Sequence, residues 1–376
     1  MSDVLVNAAS AATPTPLWAL TEAELADFLA ARPAIIGRYA RSAQFKAKAG
    51  QVLVVLGGEG EADLALFGLG EAARPDGMAF RALPARLPAG DYRLAEPPAG
   101  VAAERIALAW ALGAYGFDRY RKTPAEPRAR LVVADDVDLA EPIAIARACA
   151  LARDLVNTPP NDMGPVQLEQ AARDVAAAHG AEIQVVVGDD LLAAGYPAVH
   201  AVGRAADPSR ASRKGLSIEI GNTDAEGRLI LADALTRAGE LDPDLTIDMA
   251  TLTGAARVAL GPQVIPFYTA DDALAGELAR AAEDVGDPLW RMPLWDGYED
   301  ALDSDIADIK NDPDGWAQAG SVTAALFLRR FAPQNAKPWM HLDIFAWNPR
   351  GRPGFAAGAE AQAIRALYAV LKARYA

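Results

Sequence analysis

Residues 221–235 read "GNTDAEGRLILADAL", so that two carboxylates and a guanidinium, Asp224, Glu226 and Arg228, stand within five positions just ahead of an apolar run. Like charges packed side by side cost energy, and a helix N-terminus, water or a bound cation can compensate. Spacing alone allows the first: Thr223 and Glu226 stand three apart, as a capping box at the start of a helix over "LILADAL" requires. It also allows Asp224 and Glu226 to flank one or two divalent cations. Oxygen ligands suit magnesium, manganese or zinc, and a metal pair polarises a carbonyl and supplies hydroxide near neutral pH. Arg228 is then an anion anchor beside the site, charged at any working pH, or else one half of a surface salt bridge.

Outward from that stretch, alanine- and leucine-rich segments at helical spacing alternate with short β-branched runs, which predicts an α/β protein with a mostly parallel sheet. Toward the N-terminus "QVLVVLGG" and "RLVVADD" read as strands, and "AAERIALAWALGAYGFDRY" reads as an amphipathic helix. These predict a small N-terminal α/β domain over residues 1–138, a connecting helix over 139–156 and a larger α/β domain over 157–376. In the larger domain a proline-initiated helix, "PVQLEQAARDVAAAHG", precedes the predicted strand "EIQVVVG". The strands "LSIEIG", "LTIDMA", "VIPFYT" and "WMHLDI" then alternate with helices at 229–238, 273–285 and 320–331, and a helix over 359–374 closes the chain.

The composition bounds the function. At 376 residues, 52% apolar and 23% charged, the chain can bury a sizeable core. Its 50 acids against 36 bases give a formal charge of -14, which repels nucleic acid and anionic membranes. Neither is an expected partner. The single cysteine, Cys149, sits on an apolar helix face and suits a reducing compartment. No basic start followed by an apolar run marks a signal peptide, and no stretch of about eighteen apolar residues could span a bilayer, so a cytoplasmic protein is expected. The glycines of "LGGEGEADLALFGLG" do not match a P-loop, and no lysine follows them. Asp300, Asp303, Asp305 and Asp308 read as a solvated acidic face. His179, His200 and His341 are scattered, the last in a buried-looking strand as a hydrogen-bonded core residue.

The octapeptide "NTDAEGRL" at 222–229 resembles the signature of the leucyl aminopeptidase (cytosol aminopeptidase) family. "LVNTPPNDMGP", "LTIDMATLTGA", "SDIADIKN", "AGSVTAALFL" and "WMHLDIFAW" resemble the stretches around it, while the N-terminal half resembles the family only loosely. The resemblance implies a smaller N-terminal α/β domain, a C-terminal α/β catalytic domain and a homohexamer. The implied activity is a two-metal aminopeptidase that removes neutral N-terminal residues from peptides, with manganese or zinc as cofactor. Carried over by position, Asp224 and Glu226 match metal ligands, and Arg228 matches the arginine that holds a bicarbonate acting as general base. Asn222, Thr251, Leu252 and Gly254 fall where the family meets its substrate; an ordinary strand-to-helix turn is the plain alternative for the last three.

The family's remaining ligands, a lysine and two aspartates in motifs such as "GKGVTFDSGG", with a second lysine for the transition state, lie upstream of the octapeptide and are not found here. The chain passes from "HAVGRAADPSR" straight into "ASRKGLSIEIGNTDAEGRL", which predicts an internal excision near 208–213. Two carboxylates alone leave most of a divalent ion's coordination sphere to water, so such a site binds weakly. A non-catalytic homologue that keeps only the scaffold is the rival expectation.

Overall fold

The computed structural model describes residues 4–8, 13–71, 76–121, 127–203, 209–211, 214–313, 318–334 and 337–376. The chain divides into two units, 1–160 with 347–361 and 161–346 with 362–376.

In the first unit, β1 (Leu5–Asn7), β2 (Thr15–Thr21), β3 (Val52–Leu56), β4 (Ala62–Gly70), β5 (Gly90–Leu94) and β6 (Ala129–Val133) form one sheet in the order β1-β6-β5-β2-β4-β3. All pairs are parallel except β3 with β4, a hairpin closed by "GGEGE". Seven consecutive buried residues in β4 show it covered on both faces, as an unbroken apolar strand requires. Helices α1 (Leu25–Ala30) and α2 (Ala34–Ser42) cover one cluster that includes Phe28 and Leu66. Helix α3 (Ala103–Gly113) brings Ile106 and Trp110 into another, where the Trp110 indole donates to the Ala129 carbonyl at 3.1 Å. A Cβ on Gly113 would stand 1.9 Å from the Arg81 carbonyl oxygen, so glycine lets α3 end against the 3-10 turn Gly77–Ala82.

Helix α4 (Ala140–Asn157) and the returning segment 347–361 complete this unit around a buried charge network. Arg81 Nη2 donates to both Glu360 oxygens at 3.0 Å, Asn348 donates to Glu360 at 2.8 Å, and Arg153 Nε donates to the Ala359 carbonyl at 2.9 Å. Burial pushes the Glu360 carboxyl up, but Arg81 and Arg153 together outweigh it and hold the group below its ordinary 4.5. A carboxyl with a depressed folded pKa stabilises above the unfolded value, and that contribution is lost as pH falls through the folded value. Glu360→Gln is therefore expected to flatten the acid limb of stability below about pH 4.5 and to cost about 3 kcal/mol at neutral pH, measured by urea midpoints across pH.

The second unit contains α5 (Pro165–His179), α6 (Asp190–Ala193), α7 (Pro197–Gly203), α8 (Gly227–Glu240), α9 (Gly254–Leu260), α10 (Asp272–Val285), α11 (Gly320–Arg329) and α12 (Ile364–Tyr375). Strands β7 (Ser209–Ala211), β8 (Ser217–Glu219) and β12 (Ile309–Lys310) form one sheet, with β8 parallel to β12 and antiparallel to β7. Strands β9 (Thr246–Ala250), β10 (Ile265–Tyr268), β11 (Leu289–Arg291) and β13 (Trp339–Asp343) form the other, in the order β11-β10-β13-β9, parallel except between β10 and β13. The protein is thus α/β, with a mixed sheet N-terminally and a mostly parallel one C-terminally. All five residues of β13 are buried, and eight consecutive residues of α11, Ser321–Leu328, are buried too. The closing helix starts at Ile364, later than the sequence predicts, because the buried Asp287 carboxylate accepts from the Ala363, Arg365 and Ala366 amides at 3.1, 3.1 and 3.3 Å and fixes the first turn there. No described helix is long and apolar enough to cross a membrane.

The predicted strand over 182–188 does not form: those residues have no ladder partner among the described residues, and every one is exposed. A strand needs a neighbour for its amides, and sequence pattern cannot supply one. Helix α5, just before it, buries no residue fully, with Val166 72% and Leu168 54% exposed. Val166→Ser should therefore change unfolding free energy by less than about 0.5 kcal/mol. Phe327→Ala in α11 should cost about 3–5 kcal/mol in the same denaturant titration.

Candidate functional site

The chain leaves β8 into a turn that Asn311, fully buried at the end of β12, holds from the side. The Asn311 main-chain amide donates to the Glu219 carbonyl at 2.9 Å, extending the β8–β12 ladder by one bond. Its side-chain oxygen accepts from the Gly221 and Asn222 amides at 3.0 and 3.2 Å, and its nitrogen donates to the Asn222 and Ala225 carbonyls at 2.6 and 3.3 Å. Asn222 adds an Asx turn, its side-chain oxygen accepting from the Asp224 amide at 2.9 Å, and donates to Asp312 at 3.0 Å.

The buried Arg228 guanidinium donates to the Asn311 carbonyl at 2.6 Å and lies 3.5 Å from Asp312. Burial pulls this group below its ordinary value, and Asp312, Asp343 and Glu226 pull back. It is not the surface salt bridge that the sequence allows as an alternative. The capping box does not form either. Helix α8 begins at Gly227 with Glu226, three residues beyond Thr223, as its N-cap, and no side-chain cap bond forms there. Asp224 and Glu226 are exposed, and their carboxylates make no hydrogen bond or ion pair among the described residues.

A second carboxylate clamps the turn after β9. Asp343, buried at the end of β13 opposite Ala250, accepts from the Leu252 and Thr253 amides at 2.9 and 3.0 Å and from the Thr253 hydroxyl at 2.5 Å. Thr253 in turn caps α9 by accepting from the Ala256 amide. Ser321 of α11 donates to Asp343 at 3.2 Å and pairs with the Tyr268 hydroxyl. Thr251 and Gly254 are exposed at this turn, and a Cβ on Gly254 would meet open space. The Leu252 side chain lies 3.4 Å from where a Cβ of Gly227 would stand, so the two turns meet, with Asp224, Glu226 and Arg228 on one and Thr251, Leu252 and Gly254 on the other.

Sequence reading named the stretches that hold Asn311, Ser321 and Asp343 but no role for these residues. The available signal was a polar residue ending each apolar strand, "IKN" and "LD". Asp308 is exposed, as the acidic-face reading expects, and also accepts from the Ser217 amide and hydroxyl at 2.7 and 2.8 Å, bonds that hold its carboxyl below the usual range. His341 is the core residue expected: its Nδ1 lies 2.6 Å from Asp248, and its ring stacks on Tyr268. Among the described residues no group of three histidine, cysteine, aspartate or glutamate side chains is placed to hold a metal. Of the predicted junction near 208–213, residues 208, 212 and 213 lie outside the described residues; Ser209–Ala211 form β7.

An α/β protein with an N-terminal mixed sheet and two clamped turns beside a C-terminal sheet is the class so defined. The family model described as the cytosol aminopeptidase family, catalytic domain, matches residues 150–213 and 210–368, and that described as the M17 aminopeptidase, N-terminal domain, matches 15–134. A probable cytosol aminopeptidase of Geobacter sp. (strain M21) is 31% identical over 453 residues, covering 90% of this chain and 91% of the relative. The chain belongs to the cytosol aminopeptidase family. That alignment is longer than the chain's 376 residues, so the relative carries residues with no counterpart here. Stretches of 155 and 145 residues reach 50% and 54% identity to other curated relatives and span only 31% and 28% of their length. The 1.8 Å crystal structure of cytosol aminopeptidase from Coxiella burnetii superposes with a TM-score of 0.90 at 29% identity, covering all of both chains. The bottromycin maturation enzyme BotP in complex with Mn superposes at 0.83 with 27% identity, covering 96% of this chain and all of that one.

Removing the amide of Asn311 leaves four main-chain groups without their buried partner. Asn311→Ala is expected to cost about 2–4 kcal/mol and to raise amide hydrogen exchange across 221–226 more than across α10, read by exchange mass spectrometry.

Proposed function

We propose that this chain is a cytoplasmic aminopeptidase acting on peptides with neutral N-terminal residues, and that Asp224, Glu226 and Arg228 form the polar end of its site. One observation carries the reading: the two carboxylates are exposed and engaged in neither cap nor salt bridge, while the turn that presents them is pinned by Asn311. A solvent-exposed acid pair on a pinned turn is open to a cationic ligand without first breaking a protein contact. Family membership supports the reaction class. In this reading Arg228 holds an anion, bicarbonate by resemblance, as the base; its Asn311 bond fixes the direction of the guanidinium. Asn222, Thr251, Leu252 and Gly254 meet the substrate, with the Asp343-ordered turn supplying a fixed main chain. Two manganese or zinc ions belong to the proposal only with ligands additional to Asp224 and Glu226, as does assembly into a homohexamer.

A second reading, a non-catalytic homologue that keeps the scaffold, rests on the described residues placing no group of three histidine, cysteine, aspartate or glutamate side chains to hold a metal. Calorimetry with manganese or zinc, paired with hydrolysis of leucine anilide, separates the two. The enzyme binds two ions per chain and turns the substrate over, and Arg228→Met then lowers kcat on the order of 100-fold with little change in KM. A chain that folds, takes no metal and leaves the anilide intact is the scaffold. Sedimentation tests the oligomer against the chain mass of 39.5 kDa.

A further inference from the structure

The first unit holds an open cavity of about 1550 Å³, walled by the end of α3, residues 84–89, Arg153 of α4 and residues 351–356. Five arginines line it, Arg86, Arg121, Arg128, Arg153 and Arg352, and no aspartate or glutamate does so among the described residues. This is unusual in a chain whose formal charge is -14. Arg153 is committed, through its bond to Ala359 and its stacking on Tyr115 at 3.8 Å, and Arg86 gives one of its N–H groups to the Gly50 carbonyl. Arg352, half-buried, stacks on Phe355 at 3.5 Å. Among the described residues, none of Arg86, Arg121, Arg128 and Arg352 has a carboxylate within ion-pair distance. Burial pulls the Arg153 and Arg352 guanidinium groups below their ordinary values, and Glu360 pulls both back.

Guanidinium groups gathered around one concavity repel one another, and low-dielectric walls focus their field into it. An anion removes that repulsion, and planar N–H forks match phosphate and carboxylate oxygens two at a time. We propose that this cavity binds a small organic polyanion, its phosphate or carboxylate groups taken by Arg86, Arg121, Arg128 and Arg352 and its carbon skeleton by the apolar wall at Leu87, Leu112 and Pro353. A small ligand fits better than an extended one, because the site is concave and the chain as a whole repels a polyanionic strand.

Titration calorimetry of the full chain at low salt, with tripolyphosphate and with citrate as probes, tests this. One equivalent of either should bind with a sub-millimolar Kd, weakened severalfold between about 50 and 200 mM salt. The relative affinity of the two probes assigns phosphate or carboxylate chemistry. The Arg121→Gln, Arg128→Gln double variant, checked by circular dichroism, should bind tenfold more weakly or worse. Arg86→Gln, at an exposed position, gives an independent second loss. Absence of heat at millimolar probe, binding unchanged in both variants, or a single-stranded oligonucleotide that binds more tightly than either probe each overturns the proposal.

Discussion

All four bonds of the Asn311 side-chain amide go to main-chain groups of residues 221–225, and its own carbonyl takes the Arg228 guanidinium. Fully buried, the amide acts as a short extra strand that the turn cannot supply for itself. In low dielectric those bonds are strong, and leaving any of them unmade is costly, so the turn has one geometry. The position of α8, the exposure of Asp224 and Glu226 and the aim of Arg228 all follow from it.

Asp343 repeats the device on the neighbouring turn with a charge in place of an amide. Its two oxygens collect two main-chain amides and two hydroxyls, which is how a buried carboxylate is tolerated. The sites differ in what they leave over. The Asp343 turn is satisfied internally and offers exposed main chain at Thr251 and Gly254; the Asn311 turn satisfies its backbone and leaves two carboxylates to solvent. An exposed acid pair therefore stands within a few positions of a buried guanidinium.

The sequence carried α8, β9, β10 and β13 because each is an apolar run with a clear period and a punctuating neighbour. It carried the octapeptide because local spacing alone put Asp224, Glu226 and Arg228 together. What it could not carry is non-local. Asn311 stands 89 positions from Asn222, and Asp343 stands 91 from Leu252, so their clamps exist only once β12 pairs with β8 and β13 with β9. The capping box between Thr223 and Glu226 was locally sound and does not form. The start of α12 likewise moved to where Asp287 of another element could cap it.

Residues 182–188 fail for a related reason with a different consequence. Their β-branched content is that of a strand, yet they stand exposed, after a helix that buries nothing fully. Both lie in the 150–213 piece of a family match that divides at 210–213, and the Geobacter relative carries residues for which this chain has no counterpart. Strand-forming sequence without a neighbour and a relative with residues to spare are two sides of one constraint: a strand in an α/β sheet needs at least one paired edge and covered faces. The elements of the second unit that are covered, β13 and α11, hold Asp343 and Ser321, whereas among the described residues no hydrogen bond links α5 or residues 182–188 to either clamped turn. The site geometry therefore depends on the part of the unit that is covered.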